Sequence, residues 1–142
     1  MLGNNLEFMK VFKPEIYYVK EFEHWIIILR EGQVTLGSCI IVLKREILSF
    51  GNMTRSEAIE LPAVISWYEK KCISIFCAVK FNYITAMMKD NFAHFHAFPR
   101  YAEPVFRYGL EWVDERWPRV IQFKPTTIND DILQLIVTEM RE

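Results

Sequence analysis

Two histidines stand two positions apart in a segment that is rich in aromatic residues. His94 and His96 are two of the three histidines in this chain of 142 residues, and they lie within the sequence NFAHFHAFPRY at 91–101. Aromatic side chains favour a β-strand, and successive side chains of a strand alternate between its two faces. We therefore expect both imidazoles to project from one face, together with Phe92 and Phe98.

Three kinds of chemistry fit such a pair of histidines. The first is purely structural, with two histidines hydrogen-bonded at the surface of a sheet. The second is a metal site, because a His-x-His pair on a strand is a common pair of ligands. The third is a nucleophilic histidine with a helper, since a neutral imidazole with a reference pKa of about 6.5 is a good nucleophile near neutral pH. The residues of this segment alone do not choose among the three.

Composition and length limit the class of protein. A chain of this length is predicted to be one domain, 1–142, and its hydrophobic content of 51% excludes disorder. A net charge of −1 without a basic run argues against a nucleic-acid partner. The apolar run at 25–29 is too short to span a membrane, and residues 1–5 lack the features of a signal peptide. The three cysteines lie in apolar stretches, which predicts buried, reduced thiols and a cytoplasmic protein: Cys39, Cys72 and Cys77.

The remaining strands are predicted from runs of β-branched and aromatic residues. In the histidine strand, Ala93, Phe95 and Ala97 are expected to face the core, and Pro99 is expected to end the strand because proline lacks a ladder donor. Four further strands are predicted, at 15–21, 24–30, 38–45 and 81–89.

Two helices complete the predicted fold. Thr54 and Glu57 form the Thr-x-x-Glu pattern of a capping box, and apolar residues then recur at three- and four-residue steps as far as Ile75. Because Pro62 follows, the helix either begins near residue 60 or is kinked at this proline. A second amphipathic helix is predicted to end near Met140. The predicted fold class is α+β, with an antiparallel five-stranded sheet, one long helix across it and a C-terminal helix.

The histidine segment resembles the signature of the histidine triad family of nucleotide hydrolases and transferases. That signature is His-φ-His-φ-His-φ-φ, where φ is an apolar residue, and it is often followed by Pro-Arg. Phe92, His94 and His96 fall on its three histidines, so the first is replaced here. The second, which is the family's nucleophile, is retained as His94.

A second segment of the chain carries the same resemblance. The family's Gly-His-φ-Leu-Val-φ-Pro-Lys-Arg segment fits residues 37–45 without a gap, with Ser38 in place of histidine and Leu43 in place of proline. The resemblance covers about residues 14–103, and residues 104–142 form a C-terminal extension.

The resemblance implies a function and a mechanism. It implies cleavage of dinucleoside polyphosphates or nucleoside phosphoramidates through a nucleotidyl-histidine intermediate, with His94 as nucleophile and His96 as a donor. The alternative, favoured by the loss of histidines at Phe92 and Ser38, is a catalytically impaired nucleotide-binding dimer with a regulatory or adaptor role. No cofactor and no metal are expected. Four residues at family positions are candidates for substrate binding: Arg30, Ser38, Asn82 and Lys89.

The resemblance also implies a homodimer. The segment from Trp112 to Trp117 combines aromatic and charged residues, which suits a docking surface at a subunit interface or at the rim of the site. A nucleotide and a second copy of the chain are therefore the expected partners, with neither nucleic acid nor membrane among them.

Overall fold

A five-stranded antiparallel sheet forms the centre of the computed structural model, which describes residues 6–142. The expectation that residues 1–5 are not part of a signal peptide concerns a segment outside the described residues. In chain order the strands are β1 (Tyr18–Glu21), β2 (Trp25–Leu29), β3 (Gly32–Gln33), β4 (Cys39–Leu43), β5 (Lys80–Ile84), β6 (His94–Arg100), β7 (Val105–Arg107), β8 (Leu110–Trp112) and β9 (Thr126–Thr127). The sheet has the order β1-β2-β4-β6-β5, while β3 pairs with β9 and β7 pairs with β8.

Helices flank this sheet. They are α1 (Pro14–Tyr17), α2 (Arg55–Phe76) and α3 (Asp130–Arg141), with 3₁₀ turns at Glu7–Phe12 and Phe50–Asn52. The α+β architecture predicted from the sequence, including the single long helix and the C-terminal helix, is thereby confirmed. Within residues 6–142, no helix is long and apolar enough to cross a membrane.

The long helix α2 begins at the predicted capping box. Glu57 N donates to Thr54 Oγ1 at 3.2 Å, and Thr54 N donates back to Glu57 Oε1 at 2.8 Å. The helix therefore starts at Arg55 rather than near residue 60, and it runs through Pro62. The proline is exposed, so its ring is accommodated on the solvent side of the helix.

One face of the sheet packs against α2 and forms the main core. Trp25 Nε1 donates to the carbonyl oxygen of Glu57 at 2.9 Å, and the buried hydroxyl of Tyr68 lies 2.7 Å from Gly37 O and 3.2 Å from Ala97 O. Phe95 stacks on Trp25, as expected for the core face of the histidine strand. Every polar group named here has a partner, which is what a dry helix–sheet interface requires.

Two predicted strands have other boundaries in the structure. Residues 15–17 belong to α1 rather than to a strand, because Pro14 occupies the first helical turn, where its fixed φ suits a helix. The strand predicted at 81–89 is β5, which ends at Ile84 opposite His96. Beyond it, Met87 has a φ of 51°, in the left-handed region that a strand does not use.

The expectation that Pro99 ends the histidine strand is wrong. Pro99 pairs with Phe81, and β6 continues to Arg100, which pairs with Lys80. The pairing of β6 with β4 ends at Ala97. Only β5 therefore runs beside the proline, so its missing N–H interrupts no bond on the β4 side.

The cysteine prediction holds for two of the three thiols. Cys39 and Cys72 are buried, whereas Cys77 is exposed, and all three are free. Cys77 stands just past the end of α2 with a φ of 64°, so its side chain leaves the core face that Cys72 occupies. An apolar neighbourhood in sequence does not ensure burial where the chain turns.

Candidate functional site

The two histidines lie on one face of β6, as the alternation of a strand predicts. The ring centroids of His94 and His96 are 5.0 Å apart, with the ring planes at 82°. Phe92 lies 5.2 Å from the first ring and Phe98 lies 6.3 Å from the second. These four rings form a continuous row, which we call the histidine face, on the opposite side of β6 from the Phe95 core contact.

A backbone carbonyl sets the protonation pattern of His94. The Nδ1 atom of His94 lies 2.7 Å from the carbonyl oxygen of Phe92. A carbonyl oxygen only accepts hydrogen bonds, so Nδ1 carries the proton. The Nε2 atom of the neutral ring is therefore left with its lone pair, which is the form that a nucleophilic histidine requires. His94 is only 3% exposed.

An arginine sets the opposite pattern on His96. The Nη1 atom of Arg30 lies 3.0 Å from His96 Nδ1, and a guanidinium only donates, so this nitrogen is the acceptor. The neutral ring then carries its proton on Nε2. Burial, together with the positive charge of Arg30 and the neighbouring His94, lowers the pKa of His96 from 6.5 to about 3. His96 is thus a neutral donor at pH 7.

Rings from outside the sheet cover the histidine face. Phe8 and Phe12, both from the first 3₁₀ turn, lie 5.0 Å and 5.6 Å from Phe92. Phe12 also lies 5.6 Å from His94. At the other end, Phe123 stands edge-on to His96 at a centroid distance of 4.9 Å. These three covering rings were not predicted, because nothing in the local sequence connects them to a strand that is far away in the chain.

Phe123 belongs to a segment that a buried ion pair fastens to the sheet. We call residues 114–123 the strap. Arg100 Nε donates to Asp114 Oδ2 at 2.6 Å, and both side chains are almost completely buried. Further bonds tie the same guanidinium to Asn82 Oδ1 and to the carbonyl oxygen of Arg119, and Asn82 Oδ1 also accepts from Ile121 N. The Pro-Arg dipeptide at the end of the histidine strand therefore anchors the strap in this chain.

The structure brings one of the four expected substrate-binding residues to the histidines, namely Arg30. Asn82 is engaged with Arg100 and the strap. Ser38 is fully buried, its hydroxyl donates to Thr35 O at 2.6 Å, and its Oγ accepts from Thr35 N at 3.0 Å. Lys89 is exposed, in the loop ahead of β6, and forms no salt bridge with any of residues 6–142.

Two other features bear on possible ligands. Within residues 6–142, no cluster of three or more His, Cys, Asp or Glu side chains could hold a metal ion. A cleft of about 590 Å³ lies between the loop that precedes β4 and the C-terminal extension, and its lining includes no histidine. Its lining residues include Thr35, Leu36, Tyr101, Trp112, Gln122 and Lys124.

Solved structures of histidine triad proteins resemble this chain. A histidine triad protein from Marinobacter aquaeolei matches with a TM-score of 0.72 at 14% identity, over 93% of this chain and 90% of that one. A hypothetical histidine triad nucleotide-binding protein from Sulfolobus tokodaii matches with a TM-score of 0.69 at 18% identity, over 95% and 89%. A HIT family protein from Bacillus anthracis matches with a TM-score of 0.58 at 25% identity, over 72% and 77%. No protein-family model and no curated protein matches the chain.

Proposed function

We propose that this chain, which has the fold of the histidine triad proteins, is a nucleotide hydrolase or transferase of the histidine triad type. Its substrates would be dinucleoside polyphosphates or nucleoside phosphoramidates. A fold does not determine a function, so the proposal depends on the site. The observation that carries it is the hydrogen bond from His94 Nδ1 to the Phe92 carbonyl oxygen, because it leaves Nε2 with its lone pair. One similar structure, from Sulfolobus tokodaii, is described as nucleotide-binding.

The proposed reaction has two displacements at one phosphorus atom. In the first, Nε2 of His94 attacks the α-phosphorus, a nitrogen–phosphorus bond forms, and the bond to the leaving group breaks with its electron pair. The ring becomes an imidazolium that keeps its Nδ1 proton, and the Phe92 carbonyl oxygen stabilises this charge. In the second, water attacks the phosphorus, loses a proton to solvent, and releases the neutral imidazole. Covalent catalysis of this kind replaces one difficult step with two easier ones.

His96 acts as a hydrogen-bond donor in both steps. With Nδ1 occupied by Arg30, its Nε2–H is available to a non-bridging phosphate oxygen or to the leaving group. Donors positioned where charge develops lower the barrier because they need no reorganisation. Since the pKa of His96 is lowered to about 3, the residue is a neutral donor rather than a charged acid at neutral pH.

The four candidate substrate contacts take different parts in this proposal. Arg30 and Lys89 supply positive charge for the phosphates, Arg30 from beside His96 and Lys89 from the loop three residues ahead of Phe92. Ser38 and Asn82 stabilise the scaffold, because their polar atoms are already committed within the fold.

A second candidate function is supported by the packing around the first triad position. Phe92 has no polar side-chain group to contribute to the site, and it is buried against Phe8 and Phe12. His94 is almost completely covered in the same place. A nucleotide-binding dimer that has lost catalysis, with a regulatory or adaptor role, would have these features.

Mass spectrometry of the intact protein separates the two candidates. The chain is incubated with adenosine phosphoramidate or a diadenosine polyphosphate and quenched without acid. We expect an adduct of nucleotide mass on a peptide that contains His94, together with turnover that chelators do not change. If the protein binds these nucleotides but shows neither adduct nor turnover, the enzyme is excluded and the binding protein takes its place.

We propose that the chain forms a homodimer through its C-terminal extension. Phe106 is 72% exposed and Val120 is 65% exposed, and Leu110 and Val113 add further exposed apolar surface. Within the predicted docking segment, Trp112 is half-buried and donates its indole N–H to Arg107 O, whereas these four apolar residues are exposed, as in a surface that binds another protein. Light scattering at micromolar concentration should give twice the mass of the chain, and the mass of one chain would contradict the proposal.

A further inference from the structure

We infer that Arg30 is a positioning residue, which holds His96 with Nδ1 as acceptor and leaves Nε2–H as the donor for the reacting phosphate. The state of His96 is read from contacts within the chain. The statement that this Nε2–H donates to a phosphate rests on the proposed function. Arg30 directly follows β2, and β4 lies between β2 and β6 in the sheet. The contact between Arg30 and His96 therefore reaches across β4.

The contact between Arg30 and His96 excludes the other states of the ring. A guanidinium carries five N–H groups and no acceptor. If His96 carried a proton on Nδ1, alone or as an imidazolium, two N–H groups would face each other across 3.0 Å. Three further neighbours are apolar or aromatic: Ile40 pairs with His96 from β4, Ile84 pairs with it from β5, and Phe123 covers it. Among residues 6–142, Arg30 and the neighbouring His94 are the side chains whose charges lower the pKa of this ring.

Arg30 is itself held on both sides. Its backbone N–H donates to Ser38 O at 3.0 Å, and its carbonyl oxygen accepts from Gln33 Nε2 at 2.6 Å. The guanidinium carbon lies 5.6 Å from the centroid of Phe98 and 5.4 Å from that of Phe123. A cation at these distances is attracted by the ring quadrupoles, so the two rings restrict where the guanidinium can lie.

The strap completes this arrangement. Phe123 reaches Arg30 and His96 because the buried Arg100–Asp114 pair fastens the strap beside β6. The C-terminal extension thus supplies one of the two rings that enclose the guanidinium.

The charge of Arg30 has no acidic partner in the described chain. No carboxylate among residues 6–142 forms a salt bridge with it, although burial lowers its pKa from the usual value. Arg30 is half-buried, and charges taken out of water are usually paired, so an unneutralised guanidinium in this place has a use other than holding the fold together. We infer that this use is to orient the His96 imidazole beside an anionic substrate. A carboxylate paired with Arg30 would repel that substrate.

The test compares two substitutions at the same position, Arg30→Lys and Arg30→Glu. Lysine only donates and a carboxylate only accepts, so the two variants impose opposite requirements on His96 Nδ1. Nitrogen-15 NMR of the imidazoles at pH 7 distinguishes protonated from unprotonated ring nitrogens. Only three histidines are present, and substitution of each one to glutamine assigns the signals.

In the wild type and in Arg30→Lys we expect His96 to show an unprotonated Nδ1 and a protonated Nε2. In Arg30→Glu we expect protonation of Nδ1, while the signals of His24 stay unchanged in all three proteins. A protonated Nδ1 in the wild type, or the same pattern in Arg30→Glu as in the wild type, overturns the inference. These outcomes do not depend on turnover.

Activity supplies the second measurement, with Arg55→Gln as the matched control on the exposed first turn of α2. We expect Arg30→Glu to lower kcat about 100-fold, as for the loss of one positioned donor, and Arg30→Lys, which keeps a donor and the positive charge, to lower it less. Equal kcat in Arg30→Glu and the wild type overturns the positioning role. A wild type without turnover contradicts the proposed function, and the NMR spectra then still decide the state of His96.

Discussion

The two faces of the central sheet are closed in different ways. One face is covered by α2, a continuous helix of 22 residues whose buried side chains meet the sheet in a regular row. The histidine face is covered instead by single rings, chiefly Phe12 and Phe123, which come from a 3₁₀ turn and from the strap. Phe123 is still 45% exposed, so this cover is thin.

This difference indicates which face can admit a ligand. Moving a whole helix would expose many buried side chains at once, whereas moving one ring forfeits about 1.5–3 kcal/mol of burial at most. The polar groups on the two faces also differ in how many of their hydrogen bonds are made within the chain. Tyr68 on the helix side has two backbone carbonyls within hydrogen-bonding distance, while the neutral forms of His94 and His96 each keep one ring nitrogen that bonds to none of residues 6–142. The face with spare bonding capacity is the face with the thinner cover.

The largest expected effect is on the chemistry of the histidine face. His94→Ala should lower turnover about 10⁴-fold or more, as expected when a covalent nucleophile is removed, and nucleotide binding should remain detectable. Turnover and binding are measured side by side on the same preparation. His24→Ala, which removes the histidine outside the site, is the control and should change neither. Substantial turnover in His94→Ala would show that the nucleophile lies elsewhere.

The next effect is on the anchoring of the strap. Arg100→Ala leaves the carboxylate of Asp114 buried without its partner, which should lower the free energy of unfolding by about 3–5 kcal/mol. Urea unfolding at pH 7 measures this change. Lys10→Ala, which breaks an exposed pair with Glu7, should have little effect. A loss for Arg100→Ala as small as that of the control would show that the strap is not held by this pair.

Phe92→His tests whether the first triad position belongs to the site or to the core. If position 92 belongs to the site, a histidine there should raise turnover modestly, but the Phe92 ring packs edge-on against Phe8 and Phe12. Burying a polar ring there should cost about 1–3 kcal/mol of stability. Unfolding in urea and turnover are both measured, with Phe92→Leu as the apolar control. A stable variant with higher turnover would mean that the position still belongs to the site.

The titration of His96 has the smallest effect on stability near neutral pH, and the effect grows only as the pH is lowered. The folded state keeps His96 neutral down to about pH 3, whereas the unfolded chain takes up the proton near pH 6.5. Between these values the unfolded state binds more protons, so the free energy of unfolding falls as the pH is lowered through this window. The slope measured by urea unfolding should be smaller in His96→Gln, which cannot titrate. Equal slopes in the two proteins would contradict a depressed pKa for His96.

Local patterns in the sequence determined the elements and one feature of the site. The Thr54–Glu57 capping box marks the start of α2, because the motif satisfies its own backbone donors. The alternation of side chains along a strand placed His94 and His96 on one face, since that period belongs to the backbone itself. Both features depend on residues within a few positions of each other, so a single sequence contains them.

Only the tertiary structure decided how the site is enclosed and which protonation states it favours. Arg30 reaches His96 across 66 positions of the chain, and Phe123 reaches the same ring through a strap without regular structure. Ser38, a candidate by its place in the sequence, turns its hydroxyl into the preceding loop instead. Such contacts depend on the path of the whole chain and on competition among partners for each polar atom. The periodicity of a local sequence therefore does not predict which partner each polar atom takes.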